Sequence, residues 1–241
     1  MPEPRLVEDG WLASHLGKPC FHLSGDVARI SAGGHELAAR LSAPKIFVDA
    51  KVDVSDTATV RSVQSLGFQL IDTAVRFTAP RGACAGPFSA DVGFATADMA
   101  AAVGGIAERS FVHDRFHRDP AIPLAAANAV KRSWALNYFA GKRGDWMVVV
   151  CRDGRPVGFL QLLRSQTDDL VIDLIAVDRD YRRGGIARAM IAFAVANCRG
   201  DGRLVVGTQV ANVASVRLYE NIGFRLDAAH YVLHHHGSSS C

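Results

Sequence analysis

The sequence predicts an α/β fold, and three observations predict it. Val- and Ile-rich runs alternate with stretches whose apolar residues recur at helical spacing. Asp153-Gly154 falls between two β-rich runs, a strong hairpin signal. Gly184-Gly185 stands between a strand-like run and a long apolar helical run, Ile186 to Cys198.

Taken in order, Pro80 to Pro87 concentrates Gly, Pro and small residues and reads as a linker, which places a domain boundary within residues 80–91. After it, residues 92–97 begin with a short strand, 96–111 are helical in spacing, and 123–138 form a second helix. Strands are predicted over 146–151, 156–164 and 170–177. The helix from Ile186 places Ile186, Met190, Phe193 and Asn197 on one face and stops before Gly200. Residues 203–210 read as a strand, 212–222 as a short helix, and 224–233 as the last strand or pair. The expected organisation is a smaller αβ half over 1–85, a second domain over 92–235 and a mobile tail over 236–241.

Composition excludes more than it identifies. Of 241 residues, 49% are hydrophobic and 21% charged, close to globular norms of about 45–50% and about 25%. The run from Ile186 is interrupted by Arg188 and is short of the roughly 20 residues a membrane span needs. An N-terminus without an apolar segment argues against a secretory signal, so a cytoplasmic protein is expected. The five cysteines, Cys20, Cys84, Cys151, Cys198 and Cys241, show no C-x-x-C pairing and read as reduced structural thiols. A net charge of +3 with no basic run gives no reason to expect nucleic acid.

The chain also resembles itself. At an offset of 156 residues, Asp56, Val60-Arg61, Leu66-Gly67-Phe68 and Leu70 align with Asn212, Val216-Arg217, Ile222-Gly223-Phe224 and Leu226. Each copy predicts a strand, an N-capped helix, a glycine stop and a strand, with Asp56 and Asn212 as the caps. Two related halves, or simply two αβ units ending alike, explain it. Val63 stands where Tyr219 does, and the first half has no counterpart of residues 182–187. Only the second half has the residues for the chemistry below.

Asp180-Tyr-Arg-Arg-Gly-Gly-Ile-Ala187 lies at a strand-to-helix turn. Glycines there let backbone N–H groups face outward, and a helix N-terminus carries about half a positive charge, so the turn suits a phosphate. It lacks the Lys-Ser/Thr of a P-loop and the three glycines of a dinucleotide site.

Arg182-x-x-Gly185-x-Ala187 resembles the Q/R-x-x-G-x-G/A pyrophosphate loop of the GNAT acetyltransferases. Asp173-Leu-Ile-Ala-Val177 is similar to that family's fourth strand, and Asn212 to Phe224 to its closing strand-helix-strand segment. The resemblance covers about residues 92–235 and implies a mixed, splayed sheet flanked by helices, with a partial GNAT-like αβ half before it. It implies acetyl-CoA as co-substrate, held by Arg182, Arg183, Gly184, Gly185, Ile186 and Ala187 at the pyrophosphate and by the backbone of Ile175, Ala176 and Val177 along the pantetheine arm. It further implies direct attack of a neutral primary amine on the thioester, with Tyr219 protonating the departing thiolate. Asn212 either bonds the cofactor or only caps its helix. Asp173, an acid in an apolar strand, either receives an amine proton or makes a structural hydrogen bond.

For the acceptor, Ser110-Phe-x-x-Asp-Arg-Phe-His-x-Asp-Pro120 resembles the TDP-fucosamine acetyltransferase group, which implies a nucleotide-linked amino-deoxysugar. Arg115, His117, Trp134 and Asn137 are the substrate-binding candidates. Arg115, His117 and Arg118 suit a diphosphate or sugar hydroxyls, or form a solvated loop. A peptide N-terminus, a polyamine or an antibiotic amine is the alternative acceptor, and a non-catalytic acetyl-CoA sensor the alternative class. Neither membrane nor nucleic-acid partners are expected, and sheet-edge pairing offers a homodimer. His230 and His234 to His236 raise the question of a metal, but a terminal HHHGSSSC run reads as a tail, so no metal is expected.

Overall fold

A computed structural model describes residues 3–25 and 34–237. The chain divides into two compact units, one formed by residues up to Ala74 with 114–126 and 228 onward, the other by 75–113 and 127–227.

In the first unit, strands β1 (Arg5–Glu8), β2 (Cys20–Ser24), β3 (Phe47–Asp53) and β10 (Arg225–His236) lie side by side in that order. Helices α1 (Gly10–Leu16), α2 (Gly34–Leu41) and α3 (Thr57–Ser65) accompany them. β10 runs antiparallel to β3 from His230 opposite Asp53 to His236 opposite Phe47. Val48, Ala50, Val63, Phe68 and Leu233 are the centre of its core.

The second unit orders its strands β4 (Gln69–Ala79), β9 (Leu204–Gln209), β8 (Leu170–Val177), β7 (Arg155–Arg164), β6 (Trp146–Arg152) and β5 (Val92–Phe94). Helices α4 (Ala100–Ser110) and α5 (Leu124–Phe139) pack on one core, where Val103, Ile106, Ala107 and Ala135 meet Met147, Phe159, Leu174 and Ala176. Helix α6 (Ile186–Asn197) contacts β6, β7 and β8, and α7 (Val213–Asn221) follows β9. The β6–β7 turn has φ of 49° at Asp153 and 73° at Gly154, the left-handed pair that a tight hairpin demands and Asp-Gly supplies. The mixed α/β fold is as the sequence predicts.

The internal likeness extends to backbone detail. Asp56 caps α3 by accepting from the Thr59 N–H at 3.0 Å, and Asn212 caps α7 by accepting from the Ser215 N–H at 3.3 Å. Both helices have nine residues and are followed by a glycine at positive φ, 87° at Gly67 and 98° at Gly223. Phe68 N–H then reaches the Val63 carbonyl as Phe224 N–H reaches that of Tyr219.

Three boundaries differ from expectation. Residues 80–91 are no linker: the Arg81 guanidinium donates to the carbonyls of Val195 and Cys198, and the Cys84 thiol to that of Ile222, so this stretch is packed within the second unit. Residues 114–126 and 228–237, placed by sequence order in the second domain, belong to the first unit, since their polar and strand partners lie there. The tail expected to begin at 236 starts later, because β10 continues through His236. The remainder of that tail, 238–241, lies outside the described residues.

Burial pushes the thiols of Cys20 to about 12 and of Cys84 and Cys198 to about 11, which leaves them protonated and poorly nucleophilic. No described helix is long and apolar enough to cross a membrane.

Candidate active site

Chemistry in the second unit concentrates where β8 parts from β9. These strands pair in parallel only from Leu170 to Ile172 against Leu204 to Val206, although β8 runs on to Val177 and β9 to Gln209. On its other side β8 carries a bulge. Gln161 faces Leu174 and Leu162 faces Ile172, so Asp173 is the extra residue. A bulge re-aims side chains and interrupts pairing, and here it turns Asp173 into a cluster of donors.

Four N–H groups converge on that carboxylate. The Trp134 indole donates at 2.9 Å, Gln161 Nε2 at 3.0 Å, and Arg143 from Nε and Nη2 at 2.8 and 2.6 Å. The Asp173 side chain is 7% exposed and that of Arg143 is 42% exposed. With its lone pairs engaged by two neutral donors and a bidentate guanidinium, Asp173 is an anchor that fixes Trp134 and Arg143, not an uncommitted proton acceptor. The Trp134 ring is flanked by cations, with Lys131 Nζ and the Arg143 guanidinium carbon each 5.1 Å from it. The backbone carbonyl of Asn137 accepts from the N–H groups of Lys142 and Arg143, closing the turn that carries Arg143. Gln161 is fully buried and its Oε1 has no hydrogen-bond partner among the described residues.

Beyond the end of β8, Arg179–Tyr181 form a 3-10 turn, and the chain enters α6 through Arg183 and Gly185 at φ of 68° and 76°. Gly185 is the N-cap and supplies no capping side chain, and among the described residues no side-chain hydrogen bond occupies the amides of the first turn of α6. A Cβ at Gly185 would meet nothing within 4 Å. The turn therefore presents bare backbone to open space. Arg183, Gly184 and Gly185 are exposed, while Ile186 is buried as the helix meets the sheet and Ala187 is half-buried. Arg182 is differently placed from the expected phosphate arm: its Nε donates to the Val177 carbonyl at 3.0 Å and braces the turn. In β8, Ala176 is buried in the core and Ile175 and Val177 are half-buried.

Tyr219 is 2% exposed, packed against Phe77 and Phe224. Its hydroxyl has no hydrogen-bond partner among the described residues. Burial holds the phenol well above its ordinary value, so it stays protonated at any physiological pH. Asn212 caps α7, and its Nδ2 lies 3.4 Å from the Thr208 hydroxyl.

Arg115 and His117 belong to the first unit and are engaged there. Arg115 pairs with buried Asp49, and the His117 side chain, 3% exposed, pairs with Asp114. Neither presents a free polar group of the kind a substrate wall needs. Arg118 Nε lies 3.8 Å from Asp72. The DRFHRDP segment is thus a polar clasp within the first unit: His117 pairs with Asp114 inside it, while Arg115, Arg118 and Asp119 find Asp49, Asp72, and His234 with His236, distant in sequence. Sequence reading also missed Arg143 and Gln161, because nothing in a Gly-Lys-Arg-Gly turn or an apolar strand points to Asp173.

Residues 109–224 match the acetyltransferase (GNAT) family. The chain is 32% identical over 135 residues to the spore coat polysaccharide biosynthesis protein SpsD of Bacillus subtilis, covering 55% of this chain and 46% of that protein. It is 25% identical over 217 residues to the dTDP-fucosamine acetyltransferase of Escherichia coli O6:H1, covering 89% of this chain and 92% of that one. The chain therefore spans about half the length of the first relative and nearly all of the second. Among solved structures, a GCN5-related N-acetyltransferase from Kribbella flavida superposes with a TM-score of 0.63 at 14% identity, over 99% of this chain and 89% of that one.

Proposed function

We propose, from the match of residues 109–224 to the GNAT acetyltransferase family, that the chain transfers the acetyl group of acetyl-CoA to the primary amine of a nucleotide-linked amino-deoxysugar. The observation that carries the acyl-transfer half is the uncapped start of α6 at Gly185, open where a Cβ would stand, beside the point where β8 leaves β9. The sugar half is supported by likeness to the dTDP-fucosamine acetyltransferase along nearly its whole length, and to a polysaccharide biosynthesis protein.

The co-substrate supplies an activated acyl group. The chain supplies position, and holding two reactants in register is worth roughly 7–11 kcal/mol. Backbone N–H groups of Arg183 to Ala187 hold the pyrophosphate with the help of the helix dipole. The edge of Ile175 to Val177, unpaired with β9, holds the pantetheine arm. An N–H of that edge aimed at the thioester oxygen stabilises developing negative charge by about 2.7–4 kcal/mol. Tyr219 holds its proton on Oη and delivers it to the departing sulfur, while the acceptor nitrogen loses a proton to water as the amide forms and the phenolate regains one from solvent, so the phenol is restored. The acceptor amine enters neutral, beside the Trp134 and Arg143 surface that Asp173 fixes.

A screen of TDP-linked 4-amino sugars with acetyl-CoA, read by thiol release and product mass, tests this. A mass gain of one acetyl group on such a sugar is expected. Acetylation confined to simple amines or peptides would remove the sugar assignment, and thiol release that no acceptor increases would favour a sensor.

A further inference from the structure

We propose that Asp119, His234 and His236 form a binding site for one divalent transition-metal ion of the zinc class, which clasps residues 114–126 to the end of β10. The inference is independent of acetyl transfer, since all three residues lie in the first unit. Their ligand atoms lie within 4.8 Å of one another. His234 and His236 are two apart on a strand, which puts both rings on one face. His235 between them instead donates from Nε2 to the Leu41 carbonyl at 3.0 Å and packs on Phe68. The loop supplies the third ligand: Asp119 Oδ2 lies 2.6 Å from His234 Nδ1 and 2.7 Å from His236 Nε2, while Oδ1 accepts from the Ala121 N–H at 2.9 Å.

Several features suit an ion. Two imidazoles and a carboxylate are a donor set for zinc or a related metal, with room left for water in an open position. The Phe47 ring contacts both imidazoles and keeps the surroundings apolar. His234 Nε2 is buried and has no hydrogen-bond partner among the described residues. Moving the ring proton from Nδ1 to Nε2 to free the ligating nitrogen exchanges one unpaired buried group for another. Metal-ligand bonds of about 2.0–2.2 Å place ligand atoms about 3.2–3.6 Å apart, so the two contacts must open by somewhat under about 1 Å as the ion replaces shared protons. Two positive charges oppose the ion: Lys18, whose Nζ lies 3.4 Å from His236 Nδ1, and Arg115, which acts on His234.

The test is calorimetric titration of zinc ion into the full chain after EDTA treatment and desalting, with cobalt as a spectroscopic probe. One saturable site is expected, weakened by about 10- to 100-fold or more in Asp119→Asn and in His236→Gln. Binding should be unchanged in His230→Gln and tightened in Lys18→Met, where an opposing charge is gone. Cobalt should show visible bands of nitrogen and oxygen ligation. Absence of a saturable site in the parent chain, or parent-like binding in the two ligand variants, overturns the proposal, as does a thiolate-to-cobalt charge-transfer band. His236 is partly exposed, so His236→Gln keeps the test decisive if Asp119→Asn fails to fold.

Discussion

Replacing Asp173 by Asn separates an anchor from a base. The substitution keeps shape but removes the charge, and it turns one acceptor into a donor facing donors. Four hydrogen bonds end on this carboxylate, two of them from one guanidinium. Removing one member of a buried ion pair costs about 3–5 kcal/mol. Arg143 is 42% exposed and water takes over part of its fork, which reduces the expectation to about 2–3 kcal/mol. For a chain of this size each kcal/mol moves the melting temperature by about 2–4 °C, so a fall of about 4–12 °C is expected. Thermal melting by circular dichroism reads it, alongside the pH profile of kcat/KM with the acceptor. An anchor predicts the lowered melting temperature, a raised acceptor KM and an unchanged acidic limb. A parent-like melting temperature with kcat reduced about 10²–10⁴-fold and the acidic limb abolished would refute the anchor and make Asp173 the base.

Tyr219→Phe removes a hydroxyl that has no partner among the described residues, so melting should shift by under about 2 °C while turnover falls about 10²- to 10⁴-fold; stopped-assay thiol release checks both the loss and its confinement to kcat. Gly185→Val forces a β-branched residue into the left-handed region at a cost of about 1–2 kcal/mol and hangs a side chain over the bare amides. Calorimetry should find the Kd for coenzyme A raised at least about tenfold, and an unchanged Kd would remove that turn from the pyrophosphate site. Acid should also weaken the first unit from near neutrality. His22 and His234 both bind protons less readily folded than unfolded, chiefly through burial. Their contribution is complete above the unfolded value near 6.5 and is lost as pH falls toward the lowered folded values. The slope is at most about 1.4 kcal/mol per pH unit for buried His234 and smaller for His22, whose side chain is 41% exposed and screened by water. Chemical denaturation from pH 7.5 to 5 checks it, and His234→Asn should flatten the decline.

What could be read from sequence was local. The Asp153-Gly154 turn, the caps at Asp56 and Asn212 and the glycine stops depend on a few adjacent residues, and each appears where spacing predicts it. The open turn at Gly185 was legible for the same reason. What was hidden depends on strand pairing. Asp173 meets its donors because β7 and β8 slip register at Gln161 and Leu162, and no property of either strand alone announces a slip. The Ser110 to Pro120 motif reads as a polar wall because its partners Asp49, Asp72, His234 and His236 are far away in sequence. The histidines at 234–236 look like a tail by composition, yet their two-residue alternation continues that of Val232, and β3 gives them a partner.

The interleaving of the two units bears on the order in which a nascent chain matures. Strand β3 emerges early, but its antiparallel neighbour comes from residues 228–236, so the interior built around Val48, Ala50 and Leu233 stays open throughout synthesis of the 153 residues from Val75 to Asp227. A ribosome stalled before residue 228 would carry an exposed apolar sheet edge, the kind of surface that invites aggregation or chaperone capture.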